Sequence, residues 1–140
     1  MYGMATASTT EIFPWRDSYS VRIPQIDNQH KGLIRIINDL HGAMAQAKGK
    51  EALGRVIDGL IRYTESHFTA EEAMLKQRNY SQLAAHCQEH KKLTRQVHEL
   101  RDKFRGGQIT LTIETMQFLK SWLADHIMGH DQVYSRELVK

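Results

Sequence analysis

Residues 67–90 read HFTAEEAMLKQRNYSQLAAHCQEH, and they contain two pairs of polar residues at four-residue steps. His67 and Glu71 form the first pair, and His86 and His90 form the second. Residues four positions apart lie on the same face of an α-helix, so each pair points in one direction from its own helix. The stretch therefore predicts two neighbouring helices with their polar pairs on or beside the apolar faces.

Hydrophobic residues recur at three- and four-residue steps on both sides of this stretch, which is typical of amphipathic helices. Four helices are predicted. They run from about Asp27 to Gly49, from Glu51 to the Asn79-Tyr80 break, from Ser81 as N-cap to the stop at Gly106-Gly107, and from Thr110 to roughly Met128. Short connections between such helices imply an all-α, antiparallel up-down-up-down four-helix bundle.

Both prolines, Pro14 and Pro24, lie in the first 24 residues, which predicts an irregular arm before the helical body. The arm contains large apolar groups that are costly to leave in water, so we expect it to pack along the bundle: Phe13, Trp15, Tyr19 and Val21. The length of 140 residues suits one domain over 1–140, with the arm at 1–24 and the bundle at 25–140.

Composition excludes several classes of protein. The net charge of +3 is too small to indicate a nucleic-acid or membrane-surface protein, and no run of about 18 apolar residues predicts a membrane span. Cys87 is the one cysteine, and residues 1–10 lack the apolar core of a signal peptide. We expect a cytoplasmic monomer without nucleic-acid or membrane partners, which could still be a module of a longer protein.

The positions of the eight histidines are more informative than their number. Chance surface histidines explain either pair alone equally well, but two pairs on neighbouring helices favour a shared metal site. Buried imidazoles and carboxylates without partners would cost a few kcal/mol each, and a metal removes that cost. In an antiparallel bundle, three further side chains can reach the same level: His30, His126 and Asp131.

From Trp15 to Tyr134 the chain resembles the hemerythrin family. The resemblance rests on the stretches YSVRIPQIDNQHKGL, HFTAEE, HCQEH and FLKSWLADHIMGHD. Carried over residue by residue, it implies seven metal ligands: His30, His67, Glu71, His86, His90, His126 and Asp131. The sequence departs from common bacterial relatives at Arg22, where a small residue such as glycine is more usual.

One ligand interval does not suit a regular helix. The five residues from His126 to Asp131 turn about 140° around the axis, so His130 fits an ideal helix better. The resemblance nevertheless favours Asp131, which requires a local distortion that Gly129 is suited to allow.

The implied cofactor is a pair of iron ions (Fe2+/Fe3+) with an oxo or hydroxo bridge. The donor set is too large for tetrahedral zinc and too rich in nitrogen for calcium or magnesium. The resemblance places His86, His90 and His126 on one iron and His30 and His67 on the other, with Glu71 and Asp131 bridging. The second iron then keeps an open position for dioxygen.

The predicted function is reversible binding of dioxygen, for transport, storage or delivery, without enzymatic turnover. Two carboxylates are fewer than oxygen-activating di-iron enzymes use. Leu33, Trp122 and Leu123 would line a dry ligand pocket, although plain core packing explains them too. The alternatives are an oxygen or redox sensor module, a di-iron peroxidase-type enzyme and a metal-free bundle, and an oxygen-using enzyme or a signalling protein is a possible partner.

Four other candidate side chains are discounted as ligands. His41 and His98 lie roughly 16 Å and 12 Å along their helices from His30 and His90. Cys87 points about 100° away from His86, which predicts a buried thiol. Glu72 is expected to face solvent or to contact one of the metal-binding side chains without binding metal itself.

Overall fold

Four long helices form the body of the protein. The computed structural model describes residues 11–139, and these contain no β-strand. The helices are α1 (Pro24–Ala45), α2 (Lys50–Gln77), α3 (Leu83–Arg105) and α4 (Ile113–His126), followed by a π-helical segment (Ile127–Asp131) and α5 (Gln132–Leu138). Helix α2 packs against α1 and α3, and α1 also packs against α4. The predicted antiparallel four-helix bundle is confirmed.

Several helix boundaries differ from the predicted ones: α1 ends at Ala45 and not near Gly49, and α4 begins at Ile113 and not at Thr110. Three further differences have a local cause. α1 begins at Pro24, because the fixed φ of proline suits the first helical position. Ser81 is not the N-cap of α3, since Gln82 holds that position and Ser81 Oγ instead donates to Glu137 Oε1 at 2.5 Å. The last helical stretch does not end near Met128 but continues through the π-helical segment into α5.

The core fills the centre of the bundle along most of its length. Each fully buried leucine or isoleucine contributes about 1.5–3 kcal/mol to folding. Residues at the centre, none of which exposes more than 5% of its surface, include Leu33, Ile37, Leu40, Ile57, Leu60, Leu93, Val97 and Leu119. None of the described helices is both long and apolar enough to span a membrane.

The part of the arm that the structure describes packs on the bundle, as predicted. Phe13 and Val21 are fully buried, and Tyr19 is 8% exposed. Asn38 on α1 accepts a hydrogen bond from Phe13 N at 3.0 Å and donates one to Phe13 O at 2.9 Å. Asp27 accepts hydrogen bonds from Val21 N and from the hydroxyl of Ser20. Residues 1–10, for which the sequence predicts no signal peptide, lie outside the described residues.

The arm also contacts α5. Gln132 Nε2 donates to the carbonyl oxygens of Ser18 and Ser20, and Ser135 Oγ donates to Val21 O at 2.8 Å. Directly after these contacts, Arg22 has a φ of 61°, in the left-handed region that favours glycine. The departure from glycine noted in the sequence therefore falls where a side chain strains the backbone.

Candidate metal centre

Seven buried polar side chains meet at one level of the bundle. They are His30 from α1, His67 and Glu71 from α2, His86 and His90 from α3, His126 from α4, and Asp131 from the π-helical segment. None exposes more than 3% of its surface. The structure thus brings together all seven residues singled out in the sequence.

Glu71 lies between the histidines with one oxygen toward each side. Its Oε1 is 3.0 Å from His86 Nε2 and 2.9 Å from His90 Nε2. Its Oε2 is 3.7 Å from His30 Nε2 and 3.6 Å from His67 Nε2. The carboxylate is therefore placed to contact two ions at once.

Asp131 has the same shared position. Its Oδ1 is 3.2 Å from the Nε2 atoms of His86 and His126, and its Oδ2 is 3.1 Å from His30 Nε2. The histidines divide accordingly into a three-histidine group (His86, His90 and His126) and a two-histidine group (His30 and His67). The three-histidine group could hold one metal ion together with both carboxylates, and the two-histidine group could hold another together with Glu71. Asp131 Oδ2 reaches the two-histidine group at His30.

The π-helical segment gives Asp131 its position. A π-helix closes its hydrogen bonds five residues apart, so His126 and Asp131 face the same side across a five-residue step. The predicted distortion is present. Gly129 does not need its conformational freedom for it, because its φ is not positive and an added Cβ would meet no atom within 4 Å.

The competing histidines lie elsewhere. The side chain of His130 is 46% exposed, and its Nε2 is 3.4 Å from Glu89 Oε2. His98 pairs with Glu65 at 3.0 Å on the outside of the bundle. Neither they nor His41 belong to the buried cluster.

The donors present fit a pair of metal ions. Among residues 11–139, nine buried side-chain nitrogen and oxygen atoms make no hydrogen bond. Eight of them belong to five of the seven clustered residues, and the ninth is Thr64 Oγ1. Six of the eight are the Nε2 atoms of four histidines and the two oxygens of Asp131, which face into the cluster. Leaving these six inward-facing atoms unpaired would cost several kcal/mol, which metal coordination removes.

Comparison with known proteins assigns the chain to a family. Residues 21–138 match the hemerythrin HHE cation binding domain. The chain belongs to the hemerythrin family. The bacteriohemerythrin of Stenotrophomonas maltophilia is 36% identical over 127 residues, covering 91% of this chain and 82% of that protein. The bacteriohemerythrin of Pseudomonas aeruginosa is 38% identical over 120 residues, with 86% and 77% covered. The crystal structure of wild-type hemerythrin matches with a TM-score of 0.83 at 30% identity, covering 92% of this chain and 99% of that one.

Protonation in this hemerythrin site is set by burial and by the two carboxylates. Burial acts to lower the pKa of His30 and of His86, but the close carboxylates of Asp131 and Glu71 outweigh it and raise each pKa to about 9. Burial lowers the pKa of His67 to about 4, so its ring is uncharged at neutral pH. Contacts with the histidines hold the pKa values of both carboxyl groups below their usual range, against the effect of burial.

We expect metal binding to release protons at neutral pH. Without metal, His30 and His86 hold protons that a metal ion must displace, since their pKa values are about 9. Their contribution to the stability of the metal-free fold is complete below pH 6.5 and is lost as the pH rises through about 9. The apparent affinity for ferrous iron should therefore increase from pH 7 to pH 9. Anaerobic calorimetry in buffers of different ionisation enthalpy measures the protons released, and the absence of release would contradict the assignment.

Several residues around the seven were not singled out in the sequence. The hydroxyl of Tyr134 donates to Glu71 Oε2 at 2.9 Å, and the ring of Phe68 stacks on His90 at 3.8 Å between centroids. Gln29 contacts His67, and Glu89 lies near His126. The sequence offered a clue only for Phe68, which directly follows a predicted ligand on an apolar helix face.

The predicted pocket residues are buried one helical turn from the cluster. Leu33 exposes none of its surface, Trp122 exposes 6% and Leu123 exposes 2%. The indole N–H of Trp122 donates to Leu93 O at 3.1 Å, which fixes its ring. Thr64, also fully buried, lies one turn before His67. That these residues line a ligand pocket stays a prediction.

Proposed function

We propose that this chain binds dioxygen reversibly at a non-haem di-iron centre with an oxo or hydroxo bridge. The seven ligands would be the clustered residues described above, within a single domain over 1–140. The observation that carries the proposal is the unequal division of the histidines around two shared carboxylates. The three-histidine group with Glu71 and Asp131 offers five protein ligands, whereas the two-histidine group with the same carboxylates offers four. The position with fewer ligands is left open to a small molecule.

Two irons held here would supply the electrons that dioxygen takes up on binding and returns on release. The protein residues control the surroundings. Glu71 and Asp131 balance the positive charge of the ions, and the Tyr134 hydroxyl fixes the orientation of Glu71. Leu33, Trp122 and Leu123 would keep water away from the open position, which limits oxidation. Five imidazoles and only two carboxylates favour binding over turnover, so we propose a carrier and not an enzyme.

A sensor function is the second candidate, because the arm is attached to the helix that follows the site. Gln132 and Ser135 hold the arm, and they flank Tyr134, which contacts Glu71. A change at the centre that moved Glu71 would reach the arm through α5. A signalling protein would then be the partner, whereas a carrier would supply an oxygen-using enzyme. In either case we propose a monomer in the cytoplasm.

The test is to load the protein with ferrous iron without oxygen, and then to record iron content and visible spectra before air, in air and after removing oxygen again. We expect two irons per chain and an absorption band that appears with oxygen and disappears without it. The variant His41→Ala should behave identically, because His41 lies outside the cluster. Direct and irreversible oxidation would favour the sensor or the enzyme, and a protein that holds no iron would refute the proposal.

A further inference from the structure

The outward-facing ring nitrogens of three predicted ligand histidines have unequal partners. His67 Nδ1 is 2.6 Å from Gln29 Oε1, and His90 Nδ1 is 2.7 Å from Glu72 Oε2. His126 Nδ1 is 3.7 Å from Glu89 Oε2. In each case the Nε2 atom faces the shared carboxylates. The hydrogen on Nδ1 therefore points outward, and the lone pair on Nε2 points toward the metal position.

The charge of the hydrogen-bond partner differs between the two histidine groups. Glu72 is the hydrogen-bond partner of His90 in the three-histidine group, whereas the neutral amide of Gln29 is the partner of His67 in the two-histidine group. Glu89 lies near His126 but beyond hydrogen-bond distance, and His30 Nδ1 makes no hydrogen bond. A carboxylate that accepts the Nδ1–H bond draws the proton and makes the imidazole a stronger electron donor at Nε2. A neutral amide does this less, because hydrogen bonds to charged acceptors are roughly twice as strong.

We propose that Gln29 is a positioning residue that keeps His67 a weak electron donor, so that the metal ion on the open side is the more easily reduced of the two. The inference rests on the proposed di-iron function, which it deepens. Weak electron donation by His67 at the open position favours the return of electrons from bound dioxygen to the metal ions, and thus the release of dioxygen. Strong donation by His90 stabilises the oxidised state on the closed side.

The location of Gln29 suits this control. It precedes His30 in the chain and contacts His67, so one residue is linked to both members of the two-histidine group. Its side chain is half-buried, where the difference between an amide and a carboxylate is felt more strongly than in water. Glutamate has the same shape as glutamine, which allows the charge to be changed while the hydrogen bond is kept.

The experiment compares Gln29→Glu with the reciprocal variant Glu72→Gln on the iron-loaded protein. Midpoint potentials are measured without oxygen, and release rates are measured by stopped flow after oxygenation. We expect Gln29→Glu to lower the potential and to slow oxygen release by about tenfold, the scale on which outer partners of metal ligands act. Glu72→Gln should raise the potential. If Gln29 only oriented the His67 ring, Gln29→Glu would keep the wild-type potential, and that result at equal iron content would overturn the proposal.

The midpoint potential tests the role of Gln29 independently of reversible oxygen binding. If wild-type protein fails to bind oxygen while Gln29→Glu still lowers the potential, the carrier function falls and the role of Gln29 stands. If oxygen binds reversibly while both variants keep the wild-type potential, only the role of Gln29 falls. If Gln29→Glu loads no iron, the Glu72→Gln variant provides the test. An unchanged midpoint potential in Glu72→Gln would refute the proposed effect of acceptor charge.

Discussion

Replacing Glu71 by alanine is expected to abolish the binding of both metal ions. Glu71 has one oxygen within 3.0 Å of two members of the three-histidine group and the other within 3.7 Å of both members of the two-histidine group. No other described side chain faces four of the histidines in this way. Its loss removes one ligand from each ion and one negative charge that the two ions share, which should weaken iron binding by more than about 100-fold, beyond the effect of losing an outer partner.

The measurement is iron content after anaerobic reconstitution and desalting, with circular dichroism to verify that the helices remain. Removing Glu71 leaves Tyr134 and several histidines without their buried partner, so the metal-free variant should also lose stability, by about 1–3 kcal/mol. Glu71→Gln is the matched control for shape, since it keeps one acceptor oxygen but no charge. Glu65→Ala is the control for losing a carboxylate from α2 outside the cluster. Full iron loading of the folded alanine variant would contradict the assignment.

The sequence predicted most of the fold because the main determinants are local. The three- and four-residue recurrence of apolar groups fixes which helix faces are buried, and glycines mark where α3 ends. The spacing of His67 from Glu71 and of His86 from His90 depends only on helix geometry. An antiparallel arrangement with short turns then leaves one level at which both pairs can meet.

The contacts around the cluster could not be predicted in the same way. Gln29 lies 38 residues from its partner His67, and Tyr134 lies 63 residues from Glu71. Such contacts depend on how far each helix is rotated about its axis, which a pattern of apolar residues defines only coarsely. Ser81 shows the limit for helix ends, because its hydroxyl had a stronger alternative partner in Glu137 than the backbone of its own helix.

The sequence pattern does not single out Tyr134, because it predicts that the fourth helix ends near Met128. Nothing in the local sequence indicates that the helix resumes after Asp131, whose five-residue spacing from His126 interrupts the regular pattern. The interruption and the continuation have one cause. A π-helical segment absorbs the extra residue without breaking the helix, so α5 keeps its direction and returns Tyr134 to the cluster.

The π-helical segment leads to different predictions for two adjacent residues, Asp131 and His130. Asp131→Ala is expected to lower iron affinity by more than about 100-fold, whereas His130→Ala should leave it unchanged. Asp131 is fully buried with its two oxygens facing different histidine groups, and the side chain of His130 is 46% exposed beside Glu89. A regular α-helix predicts the opposite, because residue 130 would then face His126.

Iron titration of the two variants under nitrogen, followed by the visible spectrum in air, separates these possibilities. Loss of the oxygen-dependent band in Asp131→Ala alone would mean that the π-helical segment selects the ligand. Loss in His130→Ala alone would mean that the helix is regular when iron is bound and that the five-residue register is wrong. Because Asp131 is buried and the side chain of His130 is 46% exposed, circular dichroism of both metal-free variants is recorded as well. Loss of iron binding in an Asp131→Ala variant that keeps its helices then indicates a ligand role and not a general effect on folding.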